Sequence, residues 1–269
     1  MMKKRKMLLT NDDGYNSNGI QLLYHIFKKD YNIVIVAPNC EKSGVGHSFT
    51  FKYPVFYEKI YGSYANKIYS IYGTPADCIK FAISHLLKQS PNLIVSGLNI
   101  GDNSGISSFY SGTVAAAREG AFWKIRSFAF SLCEEYEKYS FFYVKMIPKI
   151  INDIINVFGK FSRKIFYNIN FPSCHPDKVK GIKITRQSTA IFNDKYRKIN
   201  TDYFGKIKNG YKIYGKKVNI ELLNDYDSRA LLNGWITITP LTFDSTAIKE
   251  FFKMKCLEKF LKGIINDRS

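Results

Sequence analysis

Twice in its first half the chain passes from a short apolar run, through a loop of small polar residues, into a helix, a succession that belongs to parallel sheets covered on both faces. Met7 to Thr10 and Leu93 to Ser96 are the runs; Gly19 to Lys29 and the alanine-rich Thr113 to Ala121 are the helices. Ile33 to Ala37 is a further buried strand, stopped by Pro38. The spacing predicts an α/β core built on a parallel sheet, with extended segments over Ser48 to Ile60 and Lys67 to Tyr72. A helix is expected from Pro75 to about Lys88, with Thr74 as its cap and Asp77 at its positive end. Phe128 to Leu132 and Ile165 to Phe171 read as strands joined by one long amphipathic helix, Phe141 to Phe158.

Beyond about residue 180 the pattern changes. Ile182 to Thr185 is one more strand, but Asp194 to Glu221 is rich in Lys, Tyr and Gly and reads as hairpins. Trp235 to Leu241 returns to strand character, and Ile248, Phe251, Phe252, Phe260, Leu261 and Ile264 mark one face of a C-terminal helix. The expected division is an α/β core over residues 1–180 and a hairpin arm, returning strand and helix over 181–269 that serve oligomerisation.

Composition excludes several classes. The apolar runs are interrupted well before the roughly 20 residues a bilayer requires. The basic N-terminus lacks the apolar stretch of a signal peptide, so a cytoplasmic protein is expected. Five scattered cysteines form no CxxC pair, which argues against a disulfide framework or a zinc ribbon, and Cys78 and Cys133 sit among apolar residues as expected buried thiols. The formal charge of +18 would attract phosphate-bearing partners. Lys outnumbers Arg by 32 to 8, however, and is spread along the chain. A solvated basic surface therefore fits better than a nucleic-acid-binding face.

The richest chemistry sits in three loops. The first holds Asn11, Asp12 and Asp13; the second Ser43, Gly44 and His47; the third Asn99, Asp102, Asn103, Ser111, Gly112 and Thr113. Adjacent carboxylates become useful when a hard cation neutralises them, but an Asp in such a loop also serves as a helix cap. Asn99 and Asn103 suit turns as well as ligation, and Ser111 suits a cap as well as a substrate contact. The amides of Gly112 and Thr113 at a helix start would suit a phosphate. Gly44-Val45-Gly46 lacks the third glycine of a dinucleotide loop, since position 49 is Phe. No P-loop, GxSxG elbow or HExxH is present.

Five ordered blocks carry a resemblance: Thr10-Asn11-Asp12-Asp13-Gly14, Ala37-Pro38 with Ser43-Gly44, Gly73 to Cys78, Ser96 to Asn103, and Ser111 to Ala117. With Asn168 to Pro172, Thr185-Arg186-Gln187 and Gly234 to Pro240, they resemble the survival protein SurE family of 5′/3′-nucleotidases. The resemblance implies a Rossmann-like core, a swapped C-terminal arm, and homodimers or homotetramers. It also implies a metal-dependent phosphatase acting on nucleoside monophosphates, with short polyphosphate as a further substrate of some members. Carried over by position, one Mg²⁺ or Mn²⁺ (or Ca²⁺) falls on Asp12, Asp13, Ser43 and Asn99, and phosphate contacts fall near Asn103, Ser111, Gly112 and Thr113. Asn11 and Gly44 are expected beside the substrate. Asp12 and Asp13 would orient or deprotonate the attacking water, and His47 would protonate the leaving group if it reaches the site. Asn39 stands where the family commonly has Asp, and Ser107 where an acidic residue is usual. A rival of another class is a non-catalytic nucleotide- or nucleic-acid-binding protein.

Overall fold

Leu8 and Leu9 show how the sheet is built: neighbouring residues of a strand face opposite sides, and both side chains are fully buried. Leu9 joins a cluster with Ile20, Leu23 and Phe27, while Leu8 joins one with Ile79 and Ala116. Covering both faces in this way stabilises each such side chain by about 1.5–3 kcal/mol and explains why the strands are continuously apolar. The computed structural model describes residues 4–133, 138–158, 164–203, 206–255 and 257–258.

The elements in chain order are β1 (Arg5–Thr10), α1 (Asn18–Phe27), β2 (Tyr31–Pro38), β3 (Phe56–Ile60), β4 (Ile68–Tyr72), α2 (Pro75–Phe81), β5 (Leu93–Ile100), α3 (Ser107–Tyr110), α4 (Gly112–Phe122) and β6 (Arg126–Leu132). There follow α5 (Ser140–Val144), α6 (Ile147–Phe158), β7 (Ile165–Phe171), β8 (Ile182–Ile184), β9 (Ile191–Phe192), β10 (Lys195–Tyr203), β11 (Lys206–Tyr214), β12 (Lys217–Val218), α7 (Asp227–Leu232), β13 (Ile236–Thr242) and α8 (Ile248–Met254). Nine strands form one sheet in the order β3-β4-β2-β1-β5-β6-β7-β13-β8. From β4 to β7 the strands are parallel. β3 closes one edge antiparallel to β4. At the other edge β13 is antiparallel to β7, and β8 runs parallel to β13. This is a Rossmann-like α/β fold. The returning strand β13 is thus part of the main sheet, while β10 pairs with β11 and β9 with β12 as separate ribbons.

Three expectations on local structure change. Only Phe56–Ile60 of the stretch from Ser48 becomes a strand. The helix from Pro75 keeps α-geometry to Phe81 and continues as a wider turn over Ala82–Leu86. The long helix is divided into α5 and α6, because Pro148 disfavours helical backbone at the residue before it and tolerates only a helix's first turn. Cys78 is buried, but Cys133 is half-buried. Phe260, Leu261 and Ile264 lie outside the described residues. Among the described residues, no helix is long and apolar enough to cross a membrane.

Candidate metal and phosphate site

Strand order reverses between β1 and β5, and such a reversal leaves a crevice at the carboxyl ends of the strands. Thr10 of β1 pairs with Ser96 of β5, so the residues that follow both strands emerge together. A cleft of about 260 Å³ opens there, lined in part by Asp12, Ser43, Gly44, Asn99, Asn103 and Ser111. The loop after β2 is tied to the loop after β1 by the Lys42 amide, which donates to the Asp12 carbonyl at 2.7 Å. Its other end is held where the Gly46 amide donates to the Tyr110 carbonyl at 2.8 Å. Asn99 reaches the cleft through an irregularity in β5 between Ser96 and Asn99. Gly97 at φ +129° makes it possible, since a Cβ there would lie 2.4 Å from the Phe130 carbonyl oxygen.

Asp12 is 4% exposed and faces the N-terminus of α4. The Thr113 amide donates to its Oδ2 at 3.1 Å, and the Thr113 hydroxyl donates to its Oδ1. Burial pushes the carboxyl above its ordinary value, in spite of these bonds and one from the Gly112 amide. The helix dipole opposes the burial, yet among the described residues no Lys or Arg forms an ion pair with Asp12. The close approach depends on Gly112, where a Cβ would lie 2.9 Å from Asp12 Cβ and from Pro75 Cγ. The two amides assigned to phosphate on sequence grounds therefore point at the Asp12 carboxylate. Ser111 both lines the cleft and caps α4, its Oγ accepting from the Val114 amide at 3.1 Å.

The remaining donors suit a hard cation. Asn99 spends its Nδ2 on the Gly101 carbonyl at 2.7 Å, which leaves its Oδ1 free to ligate. Ser43 donates its proton to Glu41 Oε1 at 2.7 Å and keeps its lone pairs. Carboxylate, amide and hydroxyl oxygens without nitrogen or sulfur match Mg²⁺, Mn²⁺ or Ca²⁺. Among the described residues no three His, Cys, Asp or Glu side chains form a metal-binding group, so such an ion would need Ser43 and Asn99 as ligands. Asp13 is half-buried beside Asp12.

Residues 7–194 match the family described as Survival protein SurE. The chain belongs to the SurE family. It is 38% identical to the 5′-nucleotidase SurE of Flavobacterium psychrophilum, over 91% of this chain and 95% of that protein. It is 36% identical to the 5′-nucleotidase SurE of Thermosipho africanus, over 88% and 91% of the two chains. The crystal structure of the SurE protein from Aquifex aeolicus superposes with a TM-score of 0.78 at 34% identity, covering 94% of this chain and 99% of that one.

Two expected site residues of this SurE-family chain have other surroundings. Asn11 is fully buried, its Nδ2 donating to the Gly14 carbonyl at 2.9 Å and to Ser17 Oγ at 2.7 Å. Its amide shapes the turn after β1, the usual work of an Asn that follows a strand. His47 does not line the cleft: its Nε2 lies 2.9 Å from Glu119 Oε2, and its ring stacks on Phe122 with centroids 5.1 Å apart. Glu119 is 2% exposed. Burial alone would raise its carboxyl, but His47, Trp123 and Lys80 outweigh that and hold it below the ordinary value.

Sequence reasoning missed the clamp behind the third loop. Lys217 Nζ donates to Asp102 Oδ2 at 2.6 Å and to Ser104 Oγ at 3.0 Å. Both Asp227 oxygens accept from the Gly105 amide, at 3.2 and 3.1 Å, and burial pushes the Asp227 carboxyl up despite these bonds. Asn103 is fixed from the sheet side, its amide donating to Asn170 Oδ1 at 2.9 Å and its Nδ2 to Ser131 Oγ at 2.8 Å. Lys217 and Asp227 stand more than 100 residues from the loop they hold, in a stretch without periodic pattern. No local signal marked them.

Proposed function

We propose that the chain is a divalent-metal-dependent nucleotidase that hydrolyses nucleoside 5′-monophosphates, and also 3′-monophosphates and short polyphosphate, to release inorganic phosphate. The observation that carries this reading is Asp12, a buried carboxylate that pairs with no cationic side chain among the described residues, at the head of a cleft lined by oxygen donors. The nucleotidases among the relatives support it. A cation bound by Asp12, Asp13, Ser43 and Asn99 supplies neutralisation of phosphoryl charge and activation of a water molecule. Thr113 and Gly112 orient Asp12 for that task, and Asn103 and Ser111 receive the phosphoryl group. Asp13 orients the attacking water. His47, fastened to Glu119, holds the second loop in place, and any proton it gives the leaving group requires that loop to move.

The β10–β11 ribbon and α8 expose Tyr196, Tyr211, Ile213, Phe252 and Met254. These surfaces suit a dimer or tetramer assembled through the C-terminal arm. The test is phosphate release from a panel of nucleotides with Mg²⁺, with Mn²⁺ and after EDTA. Chelation should abolish turnover, and Asp12→Asn should reduce it to background while the far-UV spectrum and melting curve stay those of a folded protein. Full-speed hydrolysis by Asp12→Asn or by chelated protein would overturn the proposal.

A further inference from the structure

Beside the Asp12 cleft lies a second cavity of about 510 Å³, and the two share Gly44, Ser107, Tyr110 and Phe192 in their walls. They are therefore contiguous. The second cavity is lined by Ile191, Phe192, Ile213 and Tyr110, large apolar side chains that remain exposed to solvent. Its size is ordinary for a small-molecule site, and concave apolar walls with few polar groups are the usual form of one. Two polar groups stand in it without partners among the described residues. The Ser107 hydroxyl is buried at the wall common to both cavities and makes no hydrogen bond. Asp194 lines the second cavity but not the Asp12 cleft, and its carboxylate takes part in no hydrogen bond or ion pair among the described residues.

Resting on the reading of the Asp12 cleft as a phosphate site, we propose that the adjoining cavity is a nucleobase subsite in which Asp194 selects guanine. Aromatic faces at Tyr110 and Phe192 accept any base by stacking. An ionised carboxylate only accepts hydrogen bonds. Guanine presents two neighbouring donors on its pairing edge, N1–H and the N2 amino group. Adenine and cytosine set a ring-nitrogen acceptor beside their single amino donor, and that lone pair repels a carboxylate. Uracil offers one N–H between two carbonyls. Ser107, at the junction, is placed for a ribose hydroxyl.

The experiment compares GMP, AMP, CMP and UMP in Mn²⁺ by kcat/KM and by calorimetric binding, with ribose 5-phosphate as a base-free phosphomonoester. Wild-type protein should favour GMP over AMP by about tenfold in both readouts, a modest ratio because Asp194 is solvent-accessible. Asp194→Asn, whose amide pairs one donor with one acceptor, should collapse that ratio. Phe192→Ala should weaken all four nucleotides alike. Turnover of ribose 5-phosphate with no preference among the bases, or a ratio unchanged in Asp194→Asn, overturns the guanine assignment and leaves the phosphate site intact. A guanine preference in binding without turnover of any substrate supports the subsite and removes the nucleotidase reading instead.

Discussion

Gly112, at the start of the helix that holds Asp12, leaves no room for a Cβ beside that aspartate, so Gly112→Ala is a perturbation whose size the structure sets. The added methyl would lie 2.9 Å from Asp12 Cβ, 2.9 Å from Pro75 Cγ and 3.0 Å from Asp12 Oδ2. Carbon pairs are comfortable near 3.5–4.0 Å, so α4 or Asp12 must yield by roughly 0.5–1 Å. Overpacking of this kind costs about 1–3 kcal/mol. Replacing glycine in a helix returns at most about 1 kcal/mol, which leaves a net loss of about 0–3 kcal/mol and a fall in Tm of up to several degrees. Activity should suffer far more, since a displacement of about 1 Å in a catalytic group can cost on the order of 10²-fold. The control is Gly62→Ala. Gly62 has φ +66° with nothing within 4 Å of a Cβ, so the substitution costs about 1–2 kcal/mol through backbone strain alone and should leave kcat/KM unchanged. Melting curves and phosphate release on the same preparations give both quantities. Wild-type kcat/KM in Gly112→Ala, or an equal loss in Gly62→Ala, would refute the claim that α4 places Asp12.

Lys217→Met removes the ion pair to Asp102 and two bonds to Ser104; it should cost about 1–3 kcal/mol and lower Mn²⁺ affinity several-fold by freeing the loop that follows Asn99 and carries Asn103. Titration calorimetry reads this, with Lys217→Arg recovering part of the loss; unaltered Mn²⁺ affinity would show that the loop does not need the clamp. Glu119 has a depressed folded-state pKa, so its contribution to stability is present above the unfolded carboxylate's pKa and is lost as pH falls through the folded value. Glu119→Gln should accordingly melt lower near neutrality and lose less Tm as the pH falls below about 4.3, the ordinary value for a glutamate, and superimposable acid limbs in the two proteins would contradict the ion-pair account.

Much of the fold was legible because its signals are local. Apolar runs at Met7 to Thr10 and Leu93 to Ser96, the Thr74-Pro75-Asp77 helix start and the alanines of α4 each state their element through neighbours a few residues away. Thr74 caps its helix as expected, the Asp77 amide donating to Thr74 Oγ1 at 3.1 Å, and Asp77 completes a capping box by accepting from the Thr74 amide on Oδ2 at 2.9 Å. The grouping of Asp12, Ser43 and Asn99 in one cleft follows from the same logic, since parallel strands bring their carboxyl ends and the loops that follow them to one edge. What sequence spacing cannot convey is which partner wins a contested donor. The Gly112 and Thr113 amides were as suitable for phosphate as for a carboxylate, and only the packing of α4 against the loop after β1 gave them to Asp12. His47 was as free to face the cleft as Glu119, and the buried charge of Glu119, 72 residues away, decided the matter. The same holds for Lys217 and Asp227. Short-range patterns specify strands, helices and caps through backbone geometry and burial. Charge pairing across more than 100 residues is settled only when the folded sheet brings the groups together and removes the water between them.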